Sequence, residues 1–210
     1  MSADTPLILF AKAPIEGKVK TRLTPKLTAQ QATRVAEVLL EETIKLAKSA
    51  WQGKIVLAVW PDMDHPFIQY LLKEYNVECV IQGEGDLGAK MYQAMEVQGY
   101  PCAVMGCDVP HCEPEVLHRA YQALQGDANI IGLTHDGGYY LLGLQSNCSA
   151  LFQSISWGGD AVSKTTLAIA KQQNLMFERL VMLNDIDEYA DLIDASSQIP
   201  VLARLLKNYS

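Results

Sequence analysis

The chain has 210 residues, 49% hydrophobic and 20% charged, and its 17 basic and 24 acidic side chains leave a formal net charge of −7. That profile excludes general disorder, and the acidic balance argues against a nucleic-acid-binding protein, because counterion release requires clustered Lys and Arg. No apolar run approaches the roughly 18 to 20 residues that cross a bilayer.

Short apolar runs alternate with longer amphipathic stretches along the chain. The first run, Leu7 to Ala11, is too short for a signal peptide and is interrupted by Lys12, so the expectation is a cytoplasmic protein. It reads as a strand. Thr28 with Gln31 makes a capping box for a helix reaching about Lys48, with Ala32, Val35, Leu39 and Leu46 on its inner face. Ile55 to Trp60 and Val77 to Ile81 read as the next strands. Asp86 is an N-cap, and Leu87, Met91, Ala94 and Met95 then repeat at helical spacing. Cys102 to Gly106 is a strand, Pro114 to Leu124 a helix and Asn129 to Thr134 a strand. Further strands are expected at Tyr139 to Leu144 and Leu175 to Leu183, and further helices at 160–173 and 198–206.

Within the strands the apolar residues are mostly consecutive rather than alternating, the pattern of strands covered on both faces in a parallel sheet. The expected fold is therefore α/β: a single domain over 1–210, built as a three-layer α/β/α sandwich around a mostly parallel sheet. Cys102, Cys107, His111 and Cys112 lie close together but match no common zinc spacing. With five cysteines and no C-x-x-C pair, buried thiols are expected rather than a disulfide framework.

In open α/β sheets ligands bind beyond the carboxyl ends of the strands, and nearly all the polar motifs follow strands. After the first comes Lys12-Ala13-Pro14-Ile15-Glu16-Gly17-Lys18-Val19-Lys20-Thr21-Arg22-Leu23, which is neither a Walker A loop nor a G-x-G-x-x-G fingerprint. Gly17 permits close backbone approach, Thr21 offers a hydroxyl, and Lys12, Lys20 and Arg22 suit phosphate oxygens. After the third strand, Gly85 and Asp86 form either a turn with a helix cap or a loop around a base or ribose. Asp108, in Gly106-Cys107-Asp108-Val109-Pro110, is placed to bind a metal that holds a diphosphate, with a loop hydrogen bond as the alternative. Asp136, Gly137 and Gly138 make either a bare hairpin turn or part of the cleft. Asp185 and Asp187 stand at i and i+2, so in extended chain they face one side.

These motifs, taken with Asp136-Gly137-Gly138-Tyr139-Tyr140-Leu141-Leu142-Gly143 and Trp157-Gly158, resemble in order those of the DUF2064 family across nearly the whole chain. The resemblance implies a glycosyltransferase of the GT-A, nucleotide-diphospho-sugar transferase fold, of a kind associated in some members with arsenosugar biosynthesis. The chain is more distantly similar to guanylyltransferases acting on phospholactate or phosphoenolpyruvate, and to molybdenum-cofactor guanylyltransferases. By these resemblances the Lys-Thr-Arg loop holds nucleotide phosphates, Asp108 binds Mg²⁺ or Mn²⁺, and Asp185 and Asp187 contribute to the metal site.

The leading expectation is thus transfer of a sugar from a nucleoside diphosphate sugar to a small-molecule acceptor, with Asp108 and Asp136 as catalytic residues. Nucleotidyl transfer to a phosphorylated small molecule is the alternative, and a non-catalytic nucleotide-binding module is the second. Two departures bear on the choice. Many GT-A enzymes carry D-x-D where this chain has Gly106-Cys107-Asp108, and the usual Trp-Gly-Thr is here Trp157-Gly158-Gly159.

Overall fold

Every apolar run singled out above contributes a strand to one seven-stranded sheet. The computed structural model describes residues 5–209. Its strands are β1 (Leu7–Lys12), β2 (Ile55–Trp60), β3 (Glu78–Ile81), β4 (Cys102–Gly106), β5 (Asn129–Leu133), β6 (Tyr139–Leu144) and β7 (Phe177–Arg179), in the spatial order β3-β2-β1-β4-β6-β5-β7. All neighbours pair in parallel except β6, which runs antiparallel to both β4 and β5. The helices are α1 (Ala29–Ala50), α2 (Pro66–Tyr75), α3 (Leu87–Gln98), α4 (Pro114–Gln125), α5 (Val162–Gln172), α6 (Tyr189–Ser196) and α7 (Pro200–Lys207).

The consecutive apolar residues of the strands divide between the two faces. In β1, Leu7, Leu9 and Ala11 enter one core with Leu40 and Ile44 of α1, Leu71 of α2 and Leu117 of α4, whereas Ile8 faces Met91 and Met95 of α3 and Ala170 of α5. Helices therefore cover both faces, as the both-faces burial of these strands requires. A third, smaller core joins the outer side of α1 to α6 and α7 through Val35, Leu39, Leu192 and Leu202.

Local signals set the helix starts. The Thr28 hydroxyl accepts from the Gln31 amide at 3.2 Å and the Gln31 side chain accepts from the Thr28 amide at 2.8 Å, closing the capping box. Asp86 accepts from the Ala89 amide at 2.8 Å and caps α3. Leu87 does not join the inner face expected of it: it is 45% exposed, while Met91, Ala94 and Met95 are buried.

Two helices carry no sequence expectation, α2 and α6. The expected strand 175–183 contracts to Phe177–Arg179, because β7 is an edge strand whose continuation pairs only intermittently, Leu180 and Leu183 donating to the Ile131 and Leu133 carbonyls. Among the described residues no helix is long and apolar enough to cross a membrane.

Candidate functional site

The carboxyl ends of β1 and β4 are adjacent at the centre of the sheet, and the loops leaving them meet over one cleft. Because β6 runs the other way, its first residue, Tyr139, and the β5–β6 turn also lie on this edge. The segment beyond β7 then crosses toward the same place: Leu183 bridges Thr134, and the Ile186 amide donates to the Asp108 carbonyl at 2.9 Å. Three stretches far apart in sequence thereby bring Lys20, Arg22, Asp108 and Asp187 together.

Lys20 lies at the middle of this group. Its Nζ pairs with Asp108 Oδ1 at 2.5 Å and Asp187 Oδ1 at 3.4 Å and donates to the Ile186 carbonyl at 2.6 Å; its side chain is only 9% exposed. Burial alone would lower the pKa of this ammonium, but the two carboxylates outweigh burial and the net shift is upward, so Lys20 stays charged. Its backbone is left-handed, φ 46°, a conformation that costs an L-residue roughly 1 to 2 kcal/mol. The ion pairs oppose that cost. Arg22 Nη1 holds Asp187 Oδ2 at 2.8 Å, so one carboxylate clamps two of the loop's cations, Lys20 and Arg22.

Asp185 is the strained member of the acidic set. Half-burial and the negative charge of Asp136, together with Asp187 and Asp108 and against a backbone hydrogen bond, push its carboxyl up to about 6. The donors here are all hard carboxylate oxygens crowded by like charge, the chemistry that Mg²⁺ or Mn²⁺ accepts. Among the described residues no three His, Cys, Asp or Glu side chains converge into a metal cage. Further ligands would then come from bound phosphate and water.

The cleft has two connecting lobes. A polar lobe of about 530 Å³ is lined by Lys12, Lys18, Lys20, Thr21, Arg22 and Asp108, with Gln82 on its wall. An aromatic lobe of about 260 Å³ is lined by Met91, Asp136, Gly138, Tyr139, Trp157 and Gly159. Phe10, Arg22, Leu87, Gly106, Tyr139 and Asp187 belong to both. Tyr139 and Trp157 meet edge to face, with centroids 6.4 Å apart.

Asp136 combines two expected roles. Its Oδ1 accepts from the Thr134 hydroxyl at 2.5 Å and the Gly138 amide at 3.0 Å, fixing the turn, while its carboxylate borders the aromatic lobe. Gly137, at φ +92°, does not line the cleft. A Cβ there would overlap the Asp160 carbonyl, and its own carbonyl accepts from the Ser163 amide at 2.8 Å, so it docks the turn against the start of α5. Gly17 and Gly85 also have positive φ and lie, with Asp86 and Asp185, outside the lining of either lobe.

Gln82, Leu87, Tyr139 and Trp157 had no assigned role from sequence. Gln82 Nε2 donates to the Ala11 and Ala58 carbonyls, at 3.1 and 2.9 Å, tying the ends of β1 and β2 beneath the polar lobe. A polar side chain directly after a buried strand was its only sequence signal. For Trp157 the only sequence signal was its neighbour Gly158; its contact with Gly88, where a Cβ would collide with the indole, is tertiary.

Residues 43–159, more than half of the chain, match a family model described as an uncharacterized protein conserved in bacteria, DUF2064. Among solved structures, one from Desulfovibrio desulfuricans G20, provisionally named a nucleotide-diphospho-sugar transferase, is 27% identical with a TM-score of 0.81, covering 100% of this chain and 99% of that one. The 4-diphosphocytidyl-2C-methyl-D-erythritol synthase of Anaerococcus prevotii DSM 20548 shares the fold at 12% identity and TM-score 0.60, over 95% of this chain and 98% of the other. A Mycobacterium tuberculosis H37Rv protein solved in complex with manganese aligns at 14% identity and TM-score 0.51, over 93% and 98%. No curated protein matches the chain.

Proposed function

The chain belongs to the DUF2064 family and has the nucleotide-diphospho-sugar transferase fold, and from that premise we propose that this transferase is metal-dependent, binds a nucleoside diphosphate sugar and passes the sugar to a small-molecule acceptor. The observation that carries the reading is the Lys20, Arg22, Asp108 and Asp187 cluster at the junction of a polar and an aromatic lobe. The polar lobe is within the size range of small-ligand sites and holds the loop cations; the aromatic lobe offers a second compartment beside them.

In this reading the nucleotide lies along Lys12, Lys20, Thr21 and Arg22, with its diphosphate toward Asp108. Asp108 and Asp187 would hold Mg²⁺ or Mn²⁺, which would supply positive charge against the leaving diphosphate. Lys20 and Arg22 add fixed charge at the same point. Asp136 takes the proton of the acceptor hydroxyl. The acceptor oxygen forms the new bond to the anomeric carbon, the bond from that carbon to the diphosphate breaks, and its electron pair leaves with the nucleoside diphosphate. Gly17, Gly85 and Asp86 shape the loops that frame this nucleotide, and Gly137 and Gly138 shape the turn that carries Asp136. The reaction is assigned to the cytoplasm.

A second reading, nucleotidyl transfer, draws on the single carboxylate of Gly106-Cys107-Asp108 and on the shared fold of the cytidylyl-type synthase. The products separate them. Incubation of nucleotide sugars with a panel of small alcohols, and of nucleoside triphosphates with phosphorylated small molecules, each with Mn²⁺ or EDTA, should release free nucleoside diphosphate from the former; pyrophosphate from the latter would overturn sugar transfer. A thermal-shift panel selects the nucleotide, since a ligand at about 100 times its Kd stabilises the fold by roughly 2.7 kcal/mol.

A further inference from the structure

The two lobes differ in charge. Every cation of the cleft lines the polar lobe, and Arg22 is the only one that also reaches the aromatic lobe, where it is already paired with Asp187. The aromatic lobe is otherwise walled by Met91, Tyr139, Trp157 and Val162, and its charged groups besides Arg22 are the carboxylates of Asp136 and Asp187. Of these, Asp136 leaves Oδ2 unbonded, because both of its hydrogen bonds fall on Oδ1. An anionic group in this compartment would meet two carboxylates against a single cation, already shared with Asp187, beside low-dielectric walls. A hydroxyl would find a carboxylate acceptor, and an apolar or sugar-ring face would find the edge of the Tyr139 and Trp157 pair.

We infer that the aromatic lobe is the acceptor subsite and that it takes a small uncharged alcohol with an apolar face, its hydroxyl at Asp136, and rejects phosphorylated acceptors. The inference rests on the sugar-transfer reading above and deepens it. It also weighs against nucleotidyl transfer to a phosphate ester, since the nucleophile of that reaction is itself an anionic phosphate. In the sugar reaction the hydroxyl proton passes to Asp136 as the acceptor oxygen bonds to the anomeric carbon and the nucleoside diphosphate departs.

The test uses a matched pair of probes, phenyl β-D-glucoside and the same glucoside phosphorylated at O6, titrated into the full chain by calorimetry. Titrations are run in EDTA and again with Mn²⁺ and a saturating nucleoside diphosphate, so that a phosphate seated in the polar lobe is not mistaken for an acceptor. With the polar lobe filled by nucleoside diphosphate, the neutral glucoside should bind at least tenfold more tightly than its phosphate. Asp136→Asn should narrow the gap by threefold or more while the neutral probe loses less; Asn retains an oxygen for the Gly138 amide, so the turn is kept. Equal or tighter binding of the phosphorylated probe, no binding of the neutral one, or a gap unchanged in Asp136→Asn overturns the acceptor assignment. Failure of every nucleoside diphosphate to bind with Mn²⁺ overturns the transfer reading instead, while the response of the neutral probe to Asp136→Asn in EDTA still judges the lobe.

Discussion

The two halves of the sheet serve the cleft in different ways. In the parallel half, β3-β2-β1-β4, the loops that follow β1, β3 and β4 reach the cleft, so the polar lobe is made of strand-end loops carrying cations and Asp108. On the other side the reversed β6 turns the chain back at the same edge, so the aromatic lobe is made of a hairpin turn, the first residue of a strand and the approach to α5. Parallel strands deliver long loops free to follow a phosphate chain; one antiparallel strand delivers a tight turn whose geometry is fixed by its own hydrogen bonds. On the proposed reading, charge neutralisation falls to one half and orientation of the acceptor to the other.

The sharpest way to break this division is Asp136→Asn. If the turn side supplies the proton acceptor, turnover should fall about 10²- to 10⁴-fold, the usual worth of general base catalysis, with the melting temperature nearly unchanged. A lowered melting temperature with full turnover would reduce Asp136 to a turn residue. Gly137→Ala attacks the same half through its fold: the added methyl meets the Asp160 backbone and the residue keeps a positive φ, so a loss of about 2 to 4 kcal/mol of stability is expected in denaturant unfolding.

On the parallel side the effects of replacing Arg22 and Asp108 should appear in binding rather than in folding. Arg22→Ala should weaken nucleotide affinity by roughly 1.5 to 3 kcal/mol, the range for a hydrogen bond to a charged group, and unchanged calorimetric affinity would remove Arg22 from the phosphate site. EDTA, or Asp108→Asn, should abolish most of the metal-dependent part of that affinity; equal nucleotide binding with and without EDTA would remove the metal. The smallest effect is expected for Gln82→Ala. It strips a hydrogen-bond donor from two strand-end carbonyls and should cost about 1 to 2 kcal/mol of stability, with nucleotide affinity following only as far as the β1 loop shifts.

Much of the scaffold could be read before any coordinates existed. Apolar runs long enough for one buried strand each, separated by helices with caps such as Thr28 and Asp86, dictate a sheet covered on both faces, because period and capping are local properties of the chain. The position of Lys20, Arg22 and Asp108 just beyond strands was equally legible, since it follows from strand ends alone. What the tertiary structure decided is which of these groups meet. Nothing local joins Asp187 to Lys20 and Arg22; the pairing exists because the segment after β7 crosses the ends of β5 and β4 and is held there by the Leu183 and Ile186 backbone. The reversal of β6, which creates the aromatic lobe, is likewise a matter of pairing between strands distant in sequence, and the roles of Gly88, Gly137 and Gln82 follow from which backbone or ring lies against them. Periodicity says which residues form a strand or helix, whereas convergence of charge depends on the free energy of the whole packed chain, and only the folded arrangement carries it.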